Sequence, residues 1–385
     1  MDIPQRETAD FPRLLQTLEQ QQAAGLQIGA QVAVSHDGRV VCDMAIGWAR
    51  PQYGEESAVR MSPDTLMLWL SSSKPVAAVA VMQLVEQGLV GLDDPVARHV
   101  PEFGANGKEA VTIRHLLTHT GGFRFIDVGD AATSWEEIIR RLCVAPLERN
   151  WVPGERAGYH PYTSWYILGE VVSRASGLCY SDYARKRIFE PLGMTDCWIG
   201  MPATTRDAYS SRLGVMVNTE TKGDSTATLA PHTWSTFEGV TACVPGANGH
   251  GPARQFVRLY EMLLAGGTLD GATILQPESI AAMSDRVRVG MFDETFRHTL
   301  DWGLGVIPNN RRYDLDTVPY GYGRYAGDGV FGHSGSQSSA AFCDPENRLA
   351  IAVVLNGTCG ERRHQPRMRA VLEAIYEYLG ITRTD

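Results

Sequence analysis

No run of basic residues interrupts this 385-residue chain, whose formal charge is -9. It therefore offers no electrostatic footprint for a phosphate backbone or an anionic lipid surface, and nucleic acid is not an expected partner. Long apolar stretches are missing too. The longest, around Pro75 to Val85, falls well short of the roughly 20 residues a membrane-spanning helix needs, so no membrane partner is expected either. The seven cysteines (Cys42, Cys143, Cys179, Cys197, Cys243, Cys343 and Cys359) are odd in number, scattered, and nowhere spaced as C-x-x-C. Such a set argues against a metal centre or a redox disulfide and reads as reduced, mostly buried thiols. The opening residues MDIPQRETADFPRLL are acidic where a secretory leader has a basic start and an apolar core, which points to the cytoplasm. No internal repeat or low-complexity tract is evident, and no cofactor is implied.

What the chain has in quantity is core: 44% of its residues are hydrophobic, enough for one large composite domain or two ordinary ones. Phe11 to Gln22 reads as an amphipathic helix. It is followed by QVAVSHDGRVVCDMAIG, two β-rich runs flanking the hairpin signal Asp37-Gly38. Pro75 to Gln87 turns helical and closes at Gly88, a plausible C-cap. The middle of the chain is rich in helical segments such as SWYILGEVVSRASG and ARQFVRLYEMLLAGG. Near the end, Val330 to Cys343 and Leu349 to Leu355 are β-rich around a turn at Asp344-Pro345-Glu346-Asn347, and Gln365 to Leu379 is helical. Strands at both ends with helices between them predict one sheet assembled from both termini, packed by helices, beside an inserted mainly helical lobe. The expected boundaries are 1–93 with 296–385 for the sheet-bearing part and 94–295 for the helical part.

Three elements carry chemistry. In LWLSSSKPVAAV, a helix starting near Ser71 puts Ser71 and Lys74 on one face, three residues apart. Pro75 fits that register, because proline is tolerated in a first turn and poorly after it. A serine hydroxyl needs a base, and a desolvated lysine can become one. Ser72 and Ser73 have no lysine three residues on and read as helix-start residues. Tyr159, in Gly158-Tyr159-His160-Pro161, is a phenol that a neighbouring ammonium could lower toward proton shuttling. The third element, VFGHSGSQSSAAFCD, puts Gly332-His333-Ser334-Gly335-Ser336 on a strand whose glycines permit close backbone approach to a ligand. A backbone N–H there and that of Ser71 could form an oxyanion hole.

Taken in order, these elements, with LVEQGLVGLDDPVARHVPEF, VTIRHLLTHTGG, GYHPYTSWYILGEVV, IFEPLGMTDCWIG and GLGV, resemble the serine β-lactamase and penicillin-binding protein superfamily. The likeness is to its class C β-lactamase-like branch, which includes family VIII carboxylesterases, D-aminopeptidases and some acyltransferases. The resemblance implies an α/β (α+β) fold in which an antiparallel sheet is flanked by helices, with the active site between sheet and helical lobe. It further implies Ser71 as the acylated nucleophile, Lys74 as its partner and Tyr159 as the base that also protonates the leaving group. His333, Ser334, Gly335 and His160 would line the substrate, and the Ser71 and Ser336 N–H groups would hold the oxyanion. Two departures matter. Pro161 stands where the family commonly has an asparagine, and His333-Ser334-Gly335 replaces Lys-Thr-Gly. Histidine is mostly neutral at pH 7 while lysine is a permanent cation, so a neutral ester fits better than a β-lactam or D-Ala-D-Ala carboxylate. A carboxylesterase is expected, with acyl transfer to an alcohol or amine, β-lactamase or D-aminopeptidase activity, or a catalytically dead binding module as alternatives.

Other motifs weigh less. Gly321-Tyr322-Gly323-Arg324-Tyr325-Ala326 matches G-x-G-x-x-A but lacks the strand before it and the helix after it. His115 and His119 have helical metal-ligand spacing without the glutamate of H-E-x-x-H and read as structural. Asn356-Gly357-Thr358 is a glycosylation acceptor only in a secreted chain. Among aromatics near the motifs, Trp69, Phe123, Phe125, Trp151, Trp234, Trp302 and Tyr322 could line an acyl pocket, with core packing the simpler role for each.

Overall fold

A computed structural model describes residues 10–52, 57–221 and 228–383. The predicted hairpin forms β1 (Gly29–His36) and β2 (Arg39–Arg50). Asp37 and Gly38 both take positive φ, 53° and 71°, as a tight two-residue hairpin turn of the primed type requires. Val59–Arg60 adds β3, and the end of the chain supplies β4 (Ile307–Pro308), β5 (Phe331–Gly335), β6 (Ser339–Asp344) and β7 (Leu349–Leu355). Together they make a seven-stranded sheet in the order β4-β5-β6-β7-β1-β2-β3. Every neighbouring pair is antiparallel. The two ends of the chain meet where β1 pairs with β7, Val32 opposite Val353.

Side-chain size separates the two faces of this sheet. Val32, Val34, Phe342, Ile351 and Val353 share a buried cluster with α1 (Pro12–Ala23) and the C-terminal helix Glu361–Tyr378. The opposite face presents Ala33, Ala341, Ala350 and Ala352 to the other cluster. Small side chains let a helix sit close, and Ala253–Leu264 packs there against β1, β6 and β7. That helix falls inside 94–295, so part of the segment read as a helical lobe serves as the sheet's second cover. Both faces are thus covered, which is why these strands read as near-continuous apolar runs.

Helix α2 (Lys74–Glu86) is buried at every position from Lys74 to Leu84, as a helix with apolar residues all round must be. It packs against the helix Thr163–Ser176, and the turn ahead of it packs against β5. The α-helix starts one turn later than the sequence suggests, because Ser71–Ser73 form a 3-10 turn and Lys74 is the first α-helical residue. A second hairpin, Arg288–Asp293 with His298–Trp302, has no clear signature in the sequence. Among the described residues, no helix is long and apolar enough to cross a membrane.

Candidate active site

The residue before Ser71 is strained. Leu70 has φ 49° and ψ -135°, a conformation costing on the order of 1–3 kcal/mol that persists only where surroundings impose it. They do so on both sides. The Trp69 N–H donates to Gly249 O at 2.8 Å, the Ser73 N–H to Leu70 O at 3.0 Å, and the Ser73 hydroxyl to the same carbonyl at 2.6 Å. The Ser72 hydroxyl donates to His333 O at 3.1 Å and lies 2.9 Å from Ser339 Oγ, which in turn donates to Trp69 O at 2.6 Å. Ser72 and Ser73 thus bind the turn to its surroundings, and half-buried Ser71 is presented at its start.

Lys74 lies directly beneath. Its Nζ is 3.0 Å from Ser71 Oγ and donates to Pro161 O at 2.9 Å and Gly246 O at 2.8 Å. Complete burial, with no carboxylate among the described residues paired to it, holds the amine well below its usual range. In the neutral form two N–H groups fill the two carbonyls, which leaves the lone pair facing the Ser71 hydroxyl. Pro161 therefore takes part through its carbonyl, a role its side-chain identity does not reveal. Gly246, far away in sequence, carries no signal at all.

Tyr159 reaches the same point from the loop that enters the Thr163–Ser176 helix. Its ring centroid is 4.9 Å from Lys74 Nζ, with the Ser71 side chain beside its hydroxyl. The expectation of a phenol lowered by the lysine is overturned: burial pushes Tyr159 above its usual range, with the Ser71 side chain only partly opposing. Desolvation penalises the phenolate, and a Lys74 amine that is itself pulled toward neutrality gives little charge to offset it. The resting group is a protonated phenol, which keeps its proton until a strong base such as an alkoxide takes it.

The remaining predicted residues divide. The His333 ring stands 6.2 Å from that of Tyr159 and 5.8 Å from that of Trp302. Its Nδ1 donates to Ser334 O at 2.8 Å, which fixes the tautomer and leaves Nε2 as a bare acceptor. Burial, and secondarily Lys74, hold His333 well below the usual histidine range, so it is neutral. Gly335 does not make room for a ligand. A Cβ there would lie 2.4 Å from Trp69 O and 2.3 Å from Ser339 Oγ, so the missing side chain lets β5 press against the turn bearing Ser71. Ser336 is exposed just beyond β5, near Tyr320, whose hydroxyl donates to Glu361 Oε1 at 2.6 Å. His160 lies behind the loop, fully buried, its Nε2 accepting from the Phe123 N–H at 3.3 Å. Burial takes it down to about 3, and the structure gives it packing where a substrate contact was expected. Of the aromatics, Trp302 borders Tyr159 at 5.8 Å, whereas Trp69 stacks on Phe256 at 3.9 Å within the core. Phe296, 4.8 Å from Tyr159, and Tyr320 join the wall without any motif to announce them.

Two more sequence features resolve here. The G-x-G-x-x-A segment 321–326 lies in a loop, and the described residues contain no group of three or more His, Cys, Asp and Glu side chains able to hold a metal. A cavity of about 660 Å³ opens elsewhere, beside Trp135, Glu170 and Cys243, and does not include Ser71.

This arrangement places a hydroxyl beside a buried amine held below its usual range and a buried phenol held above its own. The family model described as Beta-lactamase matches residues 14–375. The chain belongs to the β-lactamase family. Within that family it is 29% identical to Esterase EstB of Burkholderia gladioli over 91% of each chain. It is 26% identical to Esterase/beta-lactamase LipL of Mycobacterium tuberculosis, over 85% of this chain and 77% of that one. Among solved structures, a penicillin-binding protein homologue from Caulobacter crescentus superposes with a TM-score of 0.79 at 32% identity, covering 96% of this chain and 98% of that one. The β-lactamase-family fold expected from the sequence, a large antiparallel sheet with flanking helices, is the one observed.

Proposed function

We propose that this β-lactamase-family protein is a serine hydrolase that cleaves carboxylic esters of small molecules through an acyl intermediate on Ser71. The observation that carries the reading is the convergence of Ser71, Lys74 and Tyr159 from two separate segments, with an amine and a phenol both biased toward their neutral forms. We take the site to lie between a sheet-bearing part, 1–93 with 296–385, and a helical part, 94–295. The cytoplasm is its proposed location, since all seven cysteines are free.

In the first step Ser71 Oγ attacks the ester carbonyl and passes its proton to the lone pair of Lys74 Nζ. The N–H groups of Ser71 and Ser336 receive the oxyanion, each such donor typically contributing about 2.7–4 kcal/mol in the transition state. As the tetrahedral intermediate collapses, the alkoxide leaves with the Tyr159 hydroxyl proton. The Lys74 ammonium then reprotonates the phenolate, and both groups return to their resting states. Water repeats the sequence to release the acid.

An ester is favoured over a β-lactam because His333, standing where the family commonly has lysine, is neutral and supplies no cation for a carboxylate. The likeness to Esterase/beta-lactamase LipL supports β-lactam hydrolysis as a second activity, since acylation would use the same groups. The test is turnover of p-nitrophenyl acetate beside nitrocefin and a D-Ala amide, with intact-mass detection of the acylated protein. Ester turnover with an adduct mapping to Ser71 is expected. Absence of any adduct with esters or a fluorophosphonate would make the chain a binding module, and a new ester or amide formed when alcohol or amine is added would make it a transferase.

A further inference from the structure

Among the described residues His119 belongs to no group of three or more potential metal ligands, yet its placement is unusual. It is fully buried and has φ 59°, in the left-handed region that residues other than glycine seldom enter. Around it the three consecutive amides that carry Tyr159 are all engaged. The Gly158 N–H donates to His119 O at 3.0 Å, the Tyr159 N–H to Asp293 Oδ1 at 3.1 Å, and the His160 N–H to His119 Nδ1 at 3.0 Å. The Tyr159 carbonyl accepts from the Thr295 hydroxyl at 3.0 Å. Arg288 closes the circuit, with Nη1 3.1 Å from Asp293 Oδ2 and donating to Thr118 O at 3.1 Å. His119 therefore grips the residues on both sides of Tyr159 while Asp293 grips Tyr159 itself. With this left-handed backbone, one residue offers both its carbonyl and its ring nitrogen to amides two residues apart. The His119 ring also lies 4.6 Å from the phenol ring and meets Trp302 edge-on at 4.8 Å.

We propose that His119, together with Asp293, is a positioning residue for ester cleavage, holding the backbone of Gly158 to His160 so that the Tyr159 phenol points at Ser71. This rests on the reading of Tyr159 as the proton donor. Holding a reacting group in place matters because a displacement of about 1 Å can cost on the order of 100-fold in rate.

The test compares His119→Gly, which keeps the left-handed backbone and loses the acceptor, with His119→Asn, which tolerates that backbone and offers Oδ1 near the position of Nδ1. With an alkyl ester such as ethyl butyrate, whose alkoxide needs the Tyr159 proton, His119→Gly is expected to lower kcat by about 10- to 100-fold with KM nearly unchanged, and His119→Asn to stay within about threefold of the parent. In a Tyr159→Phe background His119→Gly should cause no further loss, because its effect passes through the phenol it positions. A parental kcat in His119→Gly, an asparagine variant as slow as the glycine one, or losses that multiply in the double variant would each overturn the proposal. If His119→Gly fails to fold by circular dichroism, Thr295→Val takes its place in the same cycle: a lowered kcat that does not compound with Tyr159→Phe supports the clamp, and a parental or compounding one refutes it. A Tyr159→Phe enzyme at full speed would instead refute the ester mechanism, whatever His119 does.

Discussion

The serine–lysine turn and the tyrosine loop meet at one hydroxyl, but they are held there by different means. Ser71 and Lys74 are neighbours along one continuous, buried segment, and the strain at Leu70 is borne by the adjacent carbonyls and by the edge of β5. Tyr159 has no such local support. Its backbone is held by His119, Asp293 and Thr295, from distant parts of the chain. Geometry fixed by helical spacing survives change elsewhere in the molecule, whereas geometry fixed by a ring of distant partners can be lost by a substitution that never touches the reacting atoms.

The largest effects should come from the turn. Ser71→Ala is expected to abolish the acyl adduct seen by intact mass, and no conservative neighbour can rescue it. Lys74→Ala removes the proposed base and should lower kcat by about 10²- to 10⁴-fold, measured on p-nitrophenyl acetate, while also leaving the Pro161 and Gly246 carbonyls without their donor. Tyr159→Phe should fall in a similar or milder range, with acylation slowed most for esters whose alkoxides need the proton most. An activated p-nitrophenyl ester should therefore suffer less than an alkyl ester. Equal losses on both would break the assignment of Tyr159 as leaving-group acid.

The two regions also differ in how they should answer to pH. Lys74 acts through its neutral form, so kcat/KM should fall tenfold per pH unit once pH drops below the amine's depressed range. Tyr159 acts through its protonated form, and burial moves it upward, so no alkaline limb should come from the phenol below about pH 10, its unperturbed value. A bell whose upper limb lies near neutrality, and which disappears in Tyr159→Phe, would show the phenol ionising in the working range and reverse the proposed roles.

The same contrast explains what could be read in advance. The Asp37-Gly38 hairpin, the strand at Leu349 to Leu355 and the Ser71/Lys74 spacing are local patterns, and the structure shows each close to its expected bounds. Helix Ala253–Leu264 was legible as a helix, but its seat on the sheet depends on Ala33 and Ala352 facing it across a long sequence gap. Pro161 and Gly246 serve through carbonyls that every residue has, so nothing in their identity marks them. His119, noticed for its spacing from His115 and read as structural, gave no sign that it would hold the amides of Gly158 and His160, and Asp293 lies in a hairpin with no clear signature. Tyr159 was found through the motif, while the direction of its ionisation depends on enclosure by Phe296, Trp302 and His119, which a sequence does not display.

A smaller effect is expected where the turn meets the sheet. Ser72→Ala removes the hydroxyl that donates to His333 O and contacts Ser339 Oγ. Leaving buried polar groups without that partner typically costs about 1–3 kcal/mol. Denaturant unfolding should register this as a lower midpoint, and kcat should drop only severalfold, because Lys74 and Leu70 still hold Ser71 from either side.

Smallest of all for catalysis should be Ile351→Ala. Ile351 is fully buried on the sheet face that packs against α1 and the C-terminal helix, away from the face that meets Ala253–Leu264. Truncating such a side chain typically removes about 2–5 kcal/mol of stability, through lost transfer energy and the cavity left behind. Its strand nonetheless keeps the backbone pairing with β1 and β6, and although Tyr159 belongs to the same buried cluster, the hydrogen bonds that hold Lys74 and the Tyr159 backbone come from other residues. The variant should therefore melt well below the parent while its kcat, measured at a temperature where it is folded, stays the same. A kcat that fell in step with stability would mean that the site feels the far side of the sheet, and the separation drawn between a locally built nucleophile and a remotely held phenol would have to be replaced by one cooperative unit.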